Sequence, residues 1–138
     1  IVPALAFFIP LITATGGNVG IQSSSIVVQD LAERSSIRRK ILSTSLRSTF
    51  IGILNGAVIA TLVFASVYFF GNVTTNLAFT VGIALFSVVV LASLMGTITP
   101  LILDKFGINP AVASGPFITT INDLLGILVY FYVAYSLL

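Results

Sequence analysis

Long uncharged runs constrain this chain more than any other feature. Residues 1–29 carry no Asp, Glu, Lys or Arg, residues 48–103 carry none, and residues 106–138 carry one, Asp123. About 20 apolar residues in a helix, rising 1.5 Å each, cross roughly 30 Å of hydrocarbon. A soluble surface cannot be built from such runs. Charged residues make up 7% of the 138, against about 25% in soluble domains, so the chain is an integral membrane protein. The net charge of +2 is too small and too localised for nucleic-acid binding. With no His and no Cys, it can form no Ser-His-Asp triad, cysteine nucleophile, disulfide, zinc-finger site or haem ligand set. It starts at Ile1 with neither an initiator Met nor a basic leader, which reads as a piece of a longer gene product rather than a signal peptide.

The run 48–103 is long enough for two spans, and Gly71 to Asn76 is its one polar, Gly-containing interruption. Four helical spans follow, at about 3–31, 42–70, 77–103 and 110–137. A β-barrel would need alternating lipid-facing and lumen-facing residues, and these runs lack that alternation. Five of the basic residues (Arg34, Arg38, Arg39, Lys40, Arg47) fall between spans one and two, and Lys105 falls between spans three and four. Basic loops stay in the cytoplasm, so connections 32–41 and 104–109 are expected inside and the uncharged turn 71–76 outside. A first span that begins outside implies at least one further helix upstream. Asn72-Val73-Thr74 matches a glycosylation sequon lying very close to the membrane. The 33–47 segment sets topology and has the composition to lie on an anionic lipid surface.

Two spans are not plain lipid anchors. In the first, Pro3 and Pro10 precede Gly16, Gly17, Asn18 and Gly20, and Gln22 and three serines follow. Three glycines in five residues predict a helix broken there, with freed carbonyls lining a polar cavity. The same residues also suit close packing of helices through small side chains, and composition alone leaves both readings open. In the fourth span Asp123 is the one Asp, Glu, Lys or Arg in the interior of any span. Counted from Pro110, it falls near the bilayer midplane, where burial costs roughly 2.5–3.5 kcal/mol and forces it toward a bundle interior or pore. Thr119, Thr120 and Gly126 share its helical face, with Pro116 a turn further back. No Lys or Arg lies in the interior of a span to neutralise it. A cation from solution does so, unless a protonated Asp123 merely hydrogen-bonds a neighbouring helix.

Weaker features remain. Asn55-Gly56 fits helix packing, Gly96 to Pro100 should kink or loosen the inner end of span three, and Asp104-Lys105 reads as a solvated helix end. A short echo, Pro10-Leu11-Ile12-Thr13 against Pro116-Phe117-Ile118-Thr119, is too brief to establish an inverted repeat.

Three groups of residues carry a resemblance. They are Pro10-Leu11-Ile12 with Gly16-Gly17-Asn18-Val19-Gly20-Ile21-Gln22, Arg38-Arg39 with Leu54-Asn55-Gly56, and Asn109-Pro110-Ala111 through Ser114-Gly115-Pro116-Phe117-Ile118-Thr119-Thr120 to Asp123 and Gly126. In these the chain resembles the membrane domain of the MgtE magnesium channel family, which also has eukaryotic solute-carrier relatives. The resemblance implies an all-α membrane domain whose second to fifth helices are the four spans here. It implies a homodimer in a cell membrane, inner or plasma, with one ion pathway on the two-fold axis lined by the second and fifth helices. Asp123 would be the central ion ligand, and the backbone from Gly16 to Asn18 would contribute to the same site. Thr119, Thr120, Pro116, Gly126, Gly20 and Gln22 would line the pathway. Cytoplasmic regulatory domains found in many members have no counterpart in this stretch.

Mg²⁺ keeps several waters and is usually held by one or two carboxylates, which suits a pair of Asp123 side chains. Without His or Cys the soft ligands favouring zinc or copper are missing, while Mn²⁺, Co²⁺ and Ca²⁺ share the ligand type. Two other functions compete: an ion-coupled carrier for a small solute with Asp123 as coupling site, and a non-transporting scaffold. An enzyme is disfavoured because the spans offer one acid and no nucleophile-base pair.

Overall fold

In hydrocarbon every backbone amide must find its partner within the chain, and an unbroken apolar run does so only as a helix. The computed structural model describes residues 2–33, 38–71, 73–113 and 115–138, and for residues 2 and 38–42 the backbone alone. Arg34, Ile37, Asn72 of the sequon, Ser114, and the side chains of Arg38, Arg39 and Lys40 lie outside the described residues. The elements are α1 (Val2–Ala6), α2 (Ile9–Ala32), α3 (Arg38–Phe70), α4 (Thr75–Lys105) and α5 (Pro116–Leu137), with a 3-10 turn at Pro110–Ala113 before α5. Among the described residues four segments are long and apolar enough to span a membrane: Pro3–Ala32, Ser43–Phe70, Thr75–Lys105 and Pro116–Leu137. Among the described residues there is no strand.

α4 is the centre of the bundle, and α2, α3 and α5 pack around it. Its buried surface is therefore wider than one stripe, reaching around the helix from Thr80 through Ala84, Val88, Leu85 and Val89 to Thr97. The outer helices bury one stripe each. On α2 this is Ile12, Gly16, Val19, Gly20, Ser23 and Val27, the spacing of one helical face.

The break expected at the Gly-rich stretch is not there. α2 runs through Gly16, Gly17 and Gly20 without interruption, and the interruption falls earlier, at Phe7–Phe8. Proline explains its position. Pro10 has no N–H for the carbonyl of Ala6 and crowds it, so α1 stops at Ala6 and α2 starts afresh with Pro10 in its first turn. The Leu5 carbonyl exposed by this break accepts from the Tyr130 hydroxyl at 2.9 Å and from the Phe8 N–H at 3.1 Å. The glycines do the other job that composition left open, which is close packing. A Cβ at Gly16 would lie 3.1 Å from Val88 Cγ1, one at Gly20 would overlap the Asn122 amide, and one at Gly96 would overlap the Gly20 carbonyl oxygen. Gly16 and Gly20 thus meet Ala92 and Gly96 as two small-residue ridges four residues apart, the packing that brings membrane helices together.

α3 meets α4 the same way, with Gly52 against Ser93 and Gly56 against Val89. Asn55, beside them, is exposed. At the far end α4 passes through Pro100 as helix and stops beyond Lys105. Gly107, at φ 72°, closes it, with the Ile108 N–H on the Leu103 carbonyl at 2.9 Å, a Schellman cap whose left-handed residue favours glycine. The last span starts at Pro116, later than the expected Pro110, because residues 110–113 wind as the 3-10 turn. Ser24 of α2 anchors that turn by donating to the Ala113 carbonyl at 2.6 Å.

Candidate functional site

Asp123 is the eighth residue of α5 counted from Pro116, in a helix of 22 residues. It therefore lies about a third of the way along the helix rather than at its middle. The helix start is set by Gly115, whose φ of 58° and ψ of −129° suit only a residue without Cβ. From there Thr119, Asp123 and Gly126 turn toward α2 and α4.

The carboxylate meets α2 at Gly17. A Cβ at Gly17 would lie 3.5 Å from Asp123 Oδ1 and 3.1 Å from Thr119 Cγ2. Asp123 is half-buried, yet its Oδ1 is enclosed and has no hydrogen-bond partner. A buried carboxylate oxygen without a donor is costly, so this atom awaits a donor or a cation. The neighbouring hydroxyls supply no proton to it. Thr119 donates to the Gly115 carbonyl at 3.0 Å, and Thr120 donates to the Pro116 carbonyl at 2.8 Å. With each proton spent on its own helix, both hydroxyl oxygens can only accept. Metal-bound water can only donate. A carboxylate flanked by acceptor-only hydroxyls therefore matches a hydrated cation better than it matches an anion or a bare amide.

The expected pathway residues divide into two sets. Asn18 and Gln22 of α2, and Thr120 and Pro116 of α5, are exposed on the outer surface of the single chain, and Asp123 and Thr119 are half-exposed. Gly16, Gly20 and Gly126 are not on that surface. Gly16 and Gly126 each face Val88 Cγ1 of α4, with a Cβ at either placed 3.1 Å from it, and Gly20 faces Asn122. Their small size shapes the helix seams. The carbonyls of Gly16 and Gly17 stay in the helical ladder of α2. Each such carbonyl keeps one lone pair free for a further contact.

Asn122 was not singled out by sequence reasoning. It is 2% exposed, and neither its Oδ1 nor its Nδ2 has a partner among the described residues. It fills the space left by the missing side chain of Gly20. The signal available was its uncharged amide inside an otherwise apolar span, overshadowed by the adjacent acid. Among the described residues no three His, Cys, Asp or Glu side chains gather to hold a metal. One chain thus offers a single carboxylate, which can bind a divalent ion only through its waters or with help from a second copy.

Replacing Gly17 with Ala puts a methyl against Thr119 and beside Asp123 Oδ1. If Asp123 is the ion ligand that the resemblance implies, the expected outcome is a several-fold loss of divalent-ion flux with thermal stability changed by less than about 1 kcal/mol, since Ala restores helix propensity. Flux and melting temperature measured on the same preparation check this. Unchanged flux would place the ion away from the α2–α5 seam.

Comparisons with known proteins agree on one family. The family model described as MgtE, divalent cation transporter, matches residues 9–133. The chain is 39% identical over 134 residues to the magnesium transporter MgtE of Bacillus subtilis, covering 96% of this chain and 29% of that protein. The magnesium transporter MgtE of Enterococcus faecalis is 41% identical over 134 residues, covering 94% of this chain and 28% of its own length. That of Thermus thermophilus is 36% identical over 137 residues, at 99% and 30% coverage. The chain spans less than a third of the length of these relatives.

Proposed function

The chain belongs to the MgtE family of divalent cation transporters, and on that premise we propose that it conducts hydrated Mg²⁺ across the membrane. The pathway runs between two copies, each contributing Asp123. The observation that carries this reading is the unpartnered Asp123 oxygen beside Gly17, next to hydroxyls that can only accept. The relatives named as magnesium transporters support Mg²⁺ as the ion. Selection then works on size and hydration: Mg²⁺ keeps its water shell, whose protons reach both carboxylates, Thr119, Thr120 and the amides of Asn18 and Gln22. Mn²⁺ and Co²⁺ have a similar shell and should compete, whereas the looser shell of Ca²⁺ fits less well.

A second copy follows from exposure. Asn18, Gln22 and Thr120 are exposed in the single chain, and amides facing lipid are unfavourable. Docking that face against its own image would enclose an aqueous path, with the two-fold symmetry usual in homo-oligomers. Since the chain has no cysteine, single cysteines report cleanly. Asn18→Cys is expected to give a disulfide-linked dimer in membranes, whereas Leu62→Cys, on the exposed face of α3, is not. Cross-linking at 62 alone would move the axis away from α2.

The carrier reading used Asp123 together with a first span broken at its Gly-rich stretch, and α2 is continuous there, the break lying at Phe7–Phe8 instead. Orientation follows the basic residues, with the connection after α2 in the cytoplasm and the turn at 71–76 outside. Asn72→Cys should then react with an impermeant thiol reagent applied to intact cells. Labelling that requires permeabilisation would invert the assignment.

A further inference from the structure

At the end of α2 opposite its proline break, a cleft of about 400 Å³ opens between α2 and α3, lined by Ile26, Asp30, Thr44, Arg47, Ser48 and Ile51. None of these residues belongs to the Asp123 site. Its lining changes along the helices in a definite order. Nearest the helix ends are Asp30, Thr44, Arg47 and Ser48, and a turn deeper into the spans are Ile26 and Ile51, about 40% exposed on both sides. Polar groups at the rim and apolar groups toward the bilayer interior are the order of an amphiphile.

Among the described residues neither charge has an ion-pair partner. Asp30 Oδ2 is enclosed with no hydrogen-bond donor, and the Arg47 guanidinium shares the cleft without pairing to it among the described residues. A lone cation entering here would meet Arg47, and a lone anion would meet Asp30. A ligand carrying both charges a short distance apart satisfies both. Arginine is well suited to a phosphate, which the Thr44 and Ser48 hydroxyls can also reach. The carboxylate needs a cation that donates protons, which a primary ammonium does and a quaternary one does not. We infer that this cleft binds the headgroup of a phosphatidylethanolamine-type membrane lipid, with its ammonium at Asp30, its phosphate at Arg47 and an acyl chain along Ile26 and Ile51. Clefts with basic residues between spans at the membrane surface are suited to lipid headgroups.

The test compares lipids of identical acyl chains on the purified full chain, reading retained lipid by native mass spectrometry and stability by melting temperature. Wild-type protein is expected to retain phosphatidylethanolamine several-fold over phosphatidylcholine and to melt higher with it. Asp30→Asn should erase that difference, Asp30→Glu should restore part of it, and Arg47→Gln should weaken retention of both lipids. Equal retention by the wild type, a preference for phosphatidylglycerol, or a preference that survives Asp30→Asn would each overturn the inference. So would soluble glycerophosphoethanolamine stabilising the protein as well as the lipid does, since the acyl chain would then contribute nothing.

Discussion

Mg²⁺ uptake into proteoliposomes is expected to fall to the protein-free background when Asp123 is replaced by Asn. The substitution keeps the volume and one acceptor oxygen but removes the charge that opposes Mg²⁺. Hydrogen bonds to charged groups contribute about 1.5–3 kcal/mol each, so losing one carboxylate from each of two copies removes roughly 3–6 kcal/mol, or about 100-fold or more in flux. Folding should survive, because Asp123 Oδ1 has no partner among the described residues to lose. Asp123→Glu should keep partial flux with altered selectivity, since the longer side chain moves the carboxylate into the path. Asp104→Asn is the control: the same chemistry at an exposed helix end should leave uptake unchanged. Wild-type uptake by Asp123→Asn would reduce the acid to a helix contact.

The largest effect on stability is expected at Gly96. A Cβ there would overlap the backbone carbonyl oxygen of Gly20 and lie 2.9 Å from Ser23 Cβ. A side chain in the way can rotate aside, but a carbonyl held in a helix cannot. Gly96→Ala must therefore push α2 from α4, and overpacking of this kind costs about 1–3 kcal/mol, occasionally more. The shift also carries Gly17 away from Asp123, so flux should fall together with melting temperature. Gly82→Ala provides the contrast, because its added methyl would lie 3.4 Å from Phe64 Cβ, close to ordinary contact. There the helix propensity of Ala over Gly, up to about 1 kcal/mol, should leave the protein equally or more stable. Equal melting temperatures for Gly96→Ala and wild type would contradict the close α2–α4 seam.

The four spans and the isolated acid were legible in the sequence because charge and hydropathy are local properties. The fate of the glycines was not. An unwound helix and a tightly packed one use the same residues, and only the partner decides: Val88, Ala92 and Gly96 lie 68 or more positions from Gly20. Pro10 held the better clue to the break, since a missing N–H acts on its own helix whatever packs nearby. The start of α5 was misplaced for a related reason. Pro110 and Pro116 both suit a first turn, and the bond from Ser24 to Ala113 that holds the 3-10 turn is a long-range contact. Asn122 escaped notice because its significance lies in the Gly20 gap that it fills.

The paired-carboxylate pathway is tested most directly by the position of a bound divalent ion in the assembled protein. Mn²⁺ substitutes for Mg²⁺ on oxygen ligands and can be located by its anomalous scattering in crystals of the full chain. The expected result is one peak on a two-fold axis between the Asp123 carboxylates of both protomers, separated from them by a layer of water and level with Gly17. A peak bound away from Asp123, or protomers assembled with Asp123 turned toward lipid, would contradict the account.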